Sequence, residues 1–222
     1  MKAVQLILAS KSPRRLALLK QIGWEAEVQT GFFPEATDLV KLADRLHHEP
    51  DAELAKFAEK DGSWGPAALT VFNARGKCLA VGVDRVIARA DKPELPDWPI
   101  LGADTVVALG QVILGKPKDG ADALRMLLQL SGHWHEVITG FAISNQGKVT
   151  LGVERTRVHY RKLSLAEITA YVNTGEPLDK AGAYGIQGRG AIFIDRIEGS
   201  YSNVVGLPLT RIYQILANKG EV

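Results

Sequence analysis

Residues 10–15 of this 222-residue chain form a candidate anion site. Ser12 has a side chain that is preferred at a helix N-cap, and Pro13 would occupy the first helical position, where its missing N–H costs nothing. Arg14 and Arg15 would then lie in the first helical turn, beside unpaired N–H groups, where a cation opposes the helix dipole. Two arginines at that position predict a strong anionic ligand, and phosphate is the leading candidate.

Asp104 is the main candidate for an acid or base in catalysis. Residues 101–103 and 105–107 flank it with strand-like, mainly apolar sequence. A carboxylate in such a run is costly to bury unless it is paired or binds a metal. An aspartate that caps a turn at a strand edge is the alternative interpretation. A strand end in an α/β sheet favours a functional site, where the carboxylate could bind magnesium or accept a proton from water.

Two loops offer further ligand groups. Residues 110–117 nearly match a P-loop, but Pro117 replaces the magnesium-binding hydroxyl residue, so a P-loop is not expected. Lys116 in this loop is equally consistent with a phosphate ligand and with a solvated lysine. Residues 182–190 contain four glycines around Gln187. The carboxamide of Gln187 suits the edge of a nucleobase, although an ordinary hydrogen bond within the loop explains it equally well.

Other chemically capable residues favour structural roles. His133 and His135 alternate along a predicted strand, so their side chains point in opposite directions and do not favour a metal site. Cys78 lacks an activating neighbour and is expected to be a packed thiol. Because it is the single cysteine, no intramolecular disulfide can form, which favours a reducing, cytoplasmic location.

The composition is that of an ordinary globular protein, with 46% hydrophobic and 23% charged residues. The net charge of +2 does not predict general nucleic-acid binding, so any anion site must be local. Apolar runs stay well short of the roughly 20 residues of a membrane span, so no membrane partner is expected.

Strand and helix signals alternate along the chain and position these candidates. The alternation, which includes two apparent hairpins, predicts an α/β fold with a mixed sheet. Within the helix predicted at 121–130, Leu124, Leu127 and Leu128 are expected to face the core. Strands are predicted at residues 4–9, 24–29, 100–109, 111–114, 137–143, 148–162 and 191–194, and helices from residue 13, within 38–66, and at 68–81, 121–130, 164–175 and 209–218.

Several motifs occur in one order along the chain: residues 8–10, 12–15, 102–105, 115–117, 131–132, 135, 137, 139–140, 175–177, 179–182, 184–188 and 202–208. Together they resemble the Maf family, the nucleoside triphosphate pyrophosphatases once associated with septum formation. The resemblance covers both ends of the chain and most of residues 100–210. It implies the elongated mixed β-sheet flanked by helices that Maf proteins share with inosine triphosphate pyrophosphatases. It also implies a single domain over residues 1–222, with two lobes around a central cleft and an atypically long segment at 36–73.

The resemblance implies hydrolysis of the α–β phosphoanhydride of a nucleoside triphosphate, with a divalent cation (Mg, Mn or Co) as cofactor. Asp104 matches the family's proton acceptor, and it would hold the metal together with Glu35. A homodimer is also implied. The residues that match phosphate-binding positions are Ser10, Arg15, Lys77 and Lys116, with Lys77 lying in the segment Ala74-Arg75-Gly76-Lys77.

Three positions separate the branches of the family. Arg14, Thr105 and Gln187 match the branch that acts on dTTP and UTP, whereas the branch that acts on 7-methyl-GTP has Trp, Gln and a Glu-like residue there. The expected activity is therefore release of pyrophosphate from dTTP and UTP. A non-catalytic regulator of cell division that binds nucleotide is the alternative, and an inosine triphosphate pyrophosphatase would prefer ITP.

Overall fold

A computed structural model provides the structure of the chain and describes residues 4–217. Its strands form a mixed sheet with the order β2-β1-β3-β5-β6-β7, and β4 pairs with β3. β1 pairs in parallel with β2 and β3, whereas β3–β4 and β6–β7 are antiparallel. The strands are β1 (Gln5–Ala9), β2 (Glu25–Val28), β3 (Ile100–Leu109), β4 (Val112–Leu114), β5 (Trp134–Asn145), β6 (Lys148–Tyr160) and β7 (Ile194–Glu198).

Eight α-helices accompany the strands within residues 4–217, and none of them combines the length and apolar character needed to cross a membrane. Short 3-10 helices occupy Glu176–Asp179, Ala181–Ala183 and Arg189–Phe193. The α-helices are α1 (Pro13–Gln21), α2 (Leu39–His48), α3 (Ala52–Ala55), α4 (Pro66–Asp91), α5 (Gly120–Leu130), α6 (Leu165–Val172), α7 (Tyr201–Val205) and α8 (Leu209–Ala217).

The described chain divides into two compact units, and the first comprises residues 4–104, 139–153 and 206–217. Its core packs α4 against β1, the start of β3 and part of β5. Gly102 permits this packing, because a Cβ atom there would lie 2.2 Å from the carbonyl oxygen of Ala74. A glycine at this strand position therefore brings the backbone of β3 against α4.

The second unit comprises residues 105–138 and 154–205. Its core joins α5 and α6 to strand residues, with a cluster of edge-to-face aromatic rings that includes Tyr160, Tyr184 and Phe193. Local signals start its helices: the Asp119 side chain caps α5, and Ser164 forms a reciprocal capping box with Glu167 at α6. The single-domain, two-lobed organisation implied by the resemblance stays a prediction.

Most predicted elements are confirmed, but three expectations are wrong. Helix α4 continues to Asp91 instead of ending at Val81, because a glycine such as Gly82 costs only about 1 kcal/mol in a long helix. Residues 191–193 belong to a 3-10 helix rather than to a strand, and β7 begins at Ile194, where pairing with β6 starts. Leu128 is exposed, because Met126 and Leu130 complete the buried face of α5 together with Ala123 and Leu127. The predicted last residue of α8, Asn218, lies outside the described residues.

Candidate active site

The parallel pairing of β1 with β3 places Ser10 close to Asp104. Ala9 is opposite Gly102 in the register, so Ser10 follows the end of β1 while β3 continues through Ala103 to Asp104. Ser10 is buried, and its hydroxyl oxygen accepts a hydrogen bond from the Ser12 backbone N–H at 3.3 Å. The region beyond the end of a parallel strand is where α/β proteins usually bind ligands.

Arg15 connects three segments around this point. Its Nη1 atom donates to the Ser10 hydroxyl at 3.0 Å and to the Ala103 carbonyl at 2.9 Å, and its Nε atom donates to the Gly206 carbonyl at 2.9 Å. Burial lowers the pKa of the Arg15 guanidinium, while the Asp104 carboxylate opposes this shift. The side chain that the sequence predicts as a phosphate ligand is therefore also a structural tie between β1, β3 and the turn at residue 206.

Two side chains of α4 hold the Asp104 carboxylate. The ammonium of Lys77 donates to Oδ1 at 2.8 Å, and the carboxamide of Asn73 donates to Oδ2 at 3.0 Å. The two residues are four positions apart and therefore lie on the same helix face, one above the other. Each oxygen of Asp104 thus has its own donor, so the half-buried carboxylate is paired as its apolar flanks require.

Glu35 joins the group through a segment that runs along α4. Its Oε2 atom lies 2.8 Å from the Lys77 ammonium, although the carboxylate is about half exposed. Phe33 packs against Gly76, where a Cβ atom would meet its ring, and Ala36 hydrogen-bonds to Asn73. This segment therefore contacts successive turns of one face of α4 and brings Glu35 to Lys77.

Asn73 was missed by the interpretation of the sequence. It is 3% exposed, and the structure brings it to Asp104, which is 31 positions away in the sequence. A polar residue within the apolar run of α4, one turn before Lys77, is the signal that could have drawn attention to it. Its partner could not be inferred, because no local pattern encodes a contact over that separation.

The other predicted site residues lie on α1, on β3 and in two loops of the second unit. Arg14 is half-buried in the first turn of α1, as the N-terminal position of Pro13 predicts. Thr105 follows Asp104 on β3 and is half-buried, whereas Lys116 and Gln187 are both exposed in loops of the second unit. The Gly182 N–H donates to the Gly115 carbonyl at 3.0 Å, which links the loop of Lys116 to the glycine-rich segment.

Hydrogen bonds to Glu176 stabilise the glycine-rich segment. One oxygen of Glu176 accepts from the Tyr171 hydroxyl at 2.9 Å, and the other accepts from the Arg189 N–H at 3.0 Å. A Cβ atom at Gly188 would lie 2.1 Å from the Glu176 carboxylate, so a larger residue there would displace the Glu176 side chain. The loop that carries Gln187 is therefore ordered by buried and half-buried neighbours.

Comparison with known proteins identifies the family of this chain. A model described as Maf-like protein matches residues 5–219. The chain belongs to the Maf family.

Several relatives are similar to this Maf protein over nearly its whole length, and each is named dTTP/UTP pyrophosphatase. The relative from Gloeobacter violaceus is 42% identical over 214 residues, which cover 96% of this chain and 95% of the relative. The relative from Cupriavidus pinatubonensis is 43% identical, with coverage of 92% and 91%. The relative from Acetivibrio thermocellus is 41% identical, with coverage of 98% and 96%. Both the family and the mixed α/β fold predicted from the sequence are confirmed.

His135 and Cys78 both occupy packed, buried positions in this Maf protein. His135 is buried and its Nε2 atom lies 2.8 Å from the Tyr184 hydroxyl, so it packs in the aromatic cluster. Burial raises the pKa of the Cys78 thiol to about 11, and its sulfur contacts the Ile100 carbonyl. Among residues 4–217, no group of three or more histidine, cysteine, aspartate or glutamate side chains could hold a metal ion.

Proposed function

We propose that this chain hydrolyses the bond between the α- and β-phosphates of dTTP and UTP, releasing a nucleoside monophosphate and pyrophosphate. The observation that carries the proposal is the Asp104 carboxylate, held by Lys77 and Asn73 just beyond the parallel pairing of β1 with β3. The similarity to relatives named dTTP/UTP pyrophosphatase supports the choice of substrates.

In the proposed mechanism, Asp104 accepts a proton from the water that attacks the α-phosphorus. The new bond joins the water oxygen to that phosphorus, and the bond to the oxygen that bridges the α- and β-phosphates breaks. Pyrophosphate leaves with the electron pair of that bond. Holding the base in one orientation and placing cations near the developing charge are the main ways in which a protein can lower such a barrier.

Asp104 and Glu35 are the proposed ligands of a divalent cation. Their oxygens each lie 2.8 Å from the same Lys77 nitrogen, so the two acids are close together and share one positive charge. Magnesium usually binds to proteins through one or two carboxylates together with phosphate oxygens and water, so this donor set fits a cation that arrives with the nucleotide. When bound, such a cation would neutralise charge on the phosphates.

Ser10, Arg15, Lys77 and Lys116 are the proposed phosphate-binding residues. Arg15 is buried and bonded to Ser10 and Ala103. It would therefore assist phosphate binding through its positive charge and by holding Ser10 in position. Lys116 is exposed, so its ammonium is accessible to an anion from solvent. The role of Lys116 rests on the family resemblance.

Arg14, Thr105 and Gln187 are the proposed readers of the pyrimidine base. Their identities match the dTTP and UTP branch, and the hydrogen bond from the Arg189 N–H to Glu176 holds the loop backbone near Gln187. Substituting Arg14→Trp is expected to change the ranking of nucleotides. Substituting Arg15→Ala is expected to lower activity on all of them. Equal losses across all nucleotides for both variants would contradict the proposed role of Arg14.

A panel of dTTP, UTP, CTP, GTP and ITP, with magnesium or manganese and measurement of pyrophosphate, tests the activity. We expect release from dTTP and UTP above the others, and Asp104→Asn is expected to lower kcat by about 10²-fold or more. Asp97→Asn is the matched control, because Asp97 is exposed and pairs only with Arg89 among its described ion pairs. Binding of nucleotides without any release would instead support the non-catalytic regulator.

The homodimer, the cytoplasmic location and the absence of nucleic-acid binding stay predictions. Light scattering of the purified protein measures its mass in solution and tests the first of these. A mass of twice 24.1 kDa is expected for the homodimer.

A further inference from the structure

The carboxamide of Asn73 has a fixed orientation. Its Oδ1 atom accepts from the Ala36 N–H at 2.9 Å, so its Nδ2 atom must face the Ala36 carbonyl at 2.9 Å and Asp104 Oδ2 at 3.0 Å. The reverse orientation would place an acceptor against both of those oxygens and a donor against an N–H. The hydrogen-bond pattern therefore assigns the two N–H groups of Asn73 to one backbone oxygen and one carboxylate oxygen.

This arrangement restricts the Asp104 carboxylate more than either contact would alone. Lys77 binds one oxygen and Asn73 binds the other, and both donors project from the same face of α4. Rotation of the carboxylate about its Cβ–Cγ bond would move both oxygens away from their donors. Lys77 is flexible and shared with Glu35, whereas Asn73 is short, buried and anchored to the backbone. Asn73 is therefore the more rigid of the two supports.

We propose that Asn73 is a positioning residue that sets the orientation of the Asp104 carboxylate for proton transfer. The inference rests on the proposed function of Asp104 as the base. Through its two bonds to Ala36, Asn73 also fixes the backbone next to Glu35 relative to Asp104. One buried carboxamide thus aligns the base with the segment that carries the second acid.

Two substitutions at Asn73 separate positioning from folding. Asn73→Leu removes all three hydrogen bonds in a side chain of similar size. Asn73→Ala removes the same hydrogen bonds without adding bulk or charge, so it tests the inference if the leucine variant does not fold. Thr70→Val is the matched control, because Thr70 is buried on the same helix and its hydroxyl bonds are to Pro66 and Ala67 of that helix.

The expected result is a fall in kcat for dTTP with little change in KM. For both Asn73 variants the fall should be roughly ten- to a hundredfold, the range for one lost hydrogen bond to a charged group. Thr70→Val should keep kcat within about twofold of the wild type, since it alters no contact of the site. Thermal unfolding of each variant shows that the comparison is made on folded protein.

A double-mutant cycle with Asp104→Asn shows whether Asn73 acts by positioning Asp104 or only by supporting the fold. If Asn73 acts through Asp104, adding Asn73→Leu to Asp104→Asn should lower kcat no further. The same fold-loss in both backgrounds, or unchanged kcat in the single Asn73 variants, would overturn the inference. Near-normal turnover of Asp104→Asn alone would instead refute the proposed base, and the inference about Asn73 would fall with it.

Discussion

Lys77 pairs with Asp104 and Glu35 at the same time. Its ammonium nitrogen lies 2.8 Å from Oδ1 of Asp104 and 2.8 Å from Oε2 of Glu35. The side chains of Lys77 and Asp104 are only 18% and 16% exposed, so their pairing is partly shielded from water. Two acids around a single cation leave a net negative charge, which suits a site that receives a further cation.

Removing this ammonium should impair catalysis more than folding. Lys77→Met leaves the two carboxylates without their shared partner, and we expect kcat/KM for dTTP to fall by about 10²-fold. Lys56→Met is the control, because Lys56 pairs with Glu53 on the surface, where such pairs contribute little. Steady-state kinetics on both variants measures the effect, and equal losses would contradict a specific role for Lys77.

Arg15 should be as important for stability as for activity. Arg15→Ala leaves the Gly206 and Ala103 carbonyls without their donor, which should lower the free energy of unfolding by about 2–4 kcal/mol. Arg15→Lys should recover only part of this, because one ammonium cannot reproduce the fork of a guanidinium. Urea unfolding provides the measurement. Arg89→Ala, at an exposed ion pair, should change stability by less than about 1 kcal/mol.

Two glycines should respond in opposite ways to alanine. At Gly102 a Cβ atom would meet the Ala74 carbonyl at 2.2 Å, so Gly102→Ala should push β3 from α4 and destabilise the protein by about 1–3 kcal/mol. At Gly82, within α4, the nearest atom to a Cβ would be 3.8 Å away. Gly82→Ala should therefore stabilise the helix by up to about 1 kcal/mol.

Both variants can be compared by thermal unfolding and by kcat. We expect activity to fall with Gly102→Ala, because Asp104 follows two residues later on the displaced strand, and to persist with Gly82→Ala. A Gly102→Ala variant with wild-type stability and kcat would show that the contact between β3 and α4 relaxes without consequence.

Stability should decline in mild acid because of His135. Burial lowers the pKa of His135 from 6.5 to about 4. Between these values the unfolded chain binds a proton that the folded chain does not, so the free energy of unfolding falls as the pH drops from 6.5 to 4. The contribution of this one histidine is roughly 3 kcal/mol at full extent.

Urea unfolding at pH 7 and pH 4.5 tests the role of His135. The decline should be smaller in His135→Gln, which has no proton to gain, and unchanged in His47→Gln, since His47 is exposed. An identical pH dependence in the wild type and in His135→Gln would exclude His135 as its source.

Local chemistry predicted many boundaries of the fold. The capping box of Ser164 and Glu167 depends on neighbouring residues alone. The same holds for the turn at Gln146 and Gly147, two residues with positive φ. The end of α4 was misplaced because a glycine is tolerated within a long helix, and the start of β7 because it depends on pairing with β6. Leu128 was misassigned because a pattern of leucines does not show which side of α5 meets the core.

The sequence by itself determined the family, the α/β class and the identities of Asp104, Lys77 and Arg15 as candidate site residues. These follow from motifs in which residue type and short spacing carry the information. Only the tertiary structure decided that Asn73 supports Asp104 and that Arg15 is tied to Ala103 and Gly206. Such contacts join residues 31 to 191 positions apart. They depend on how strands and helices pack, which no short segment of the chain encodes.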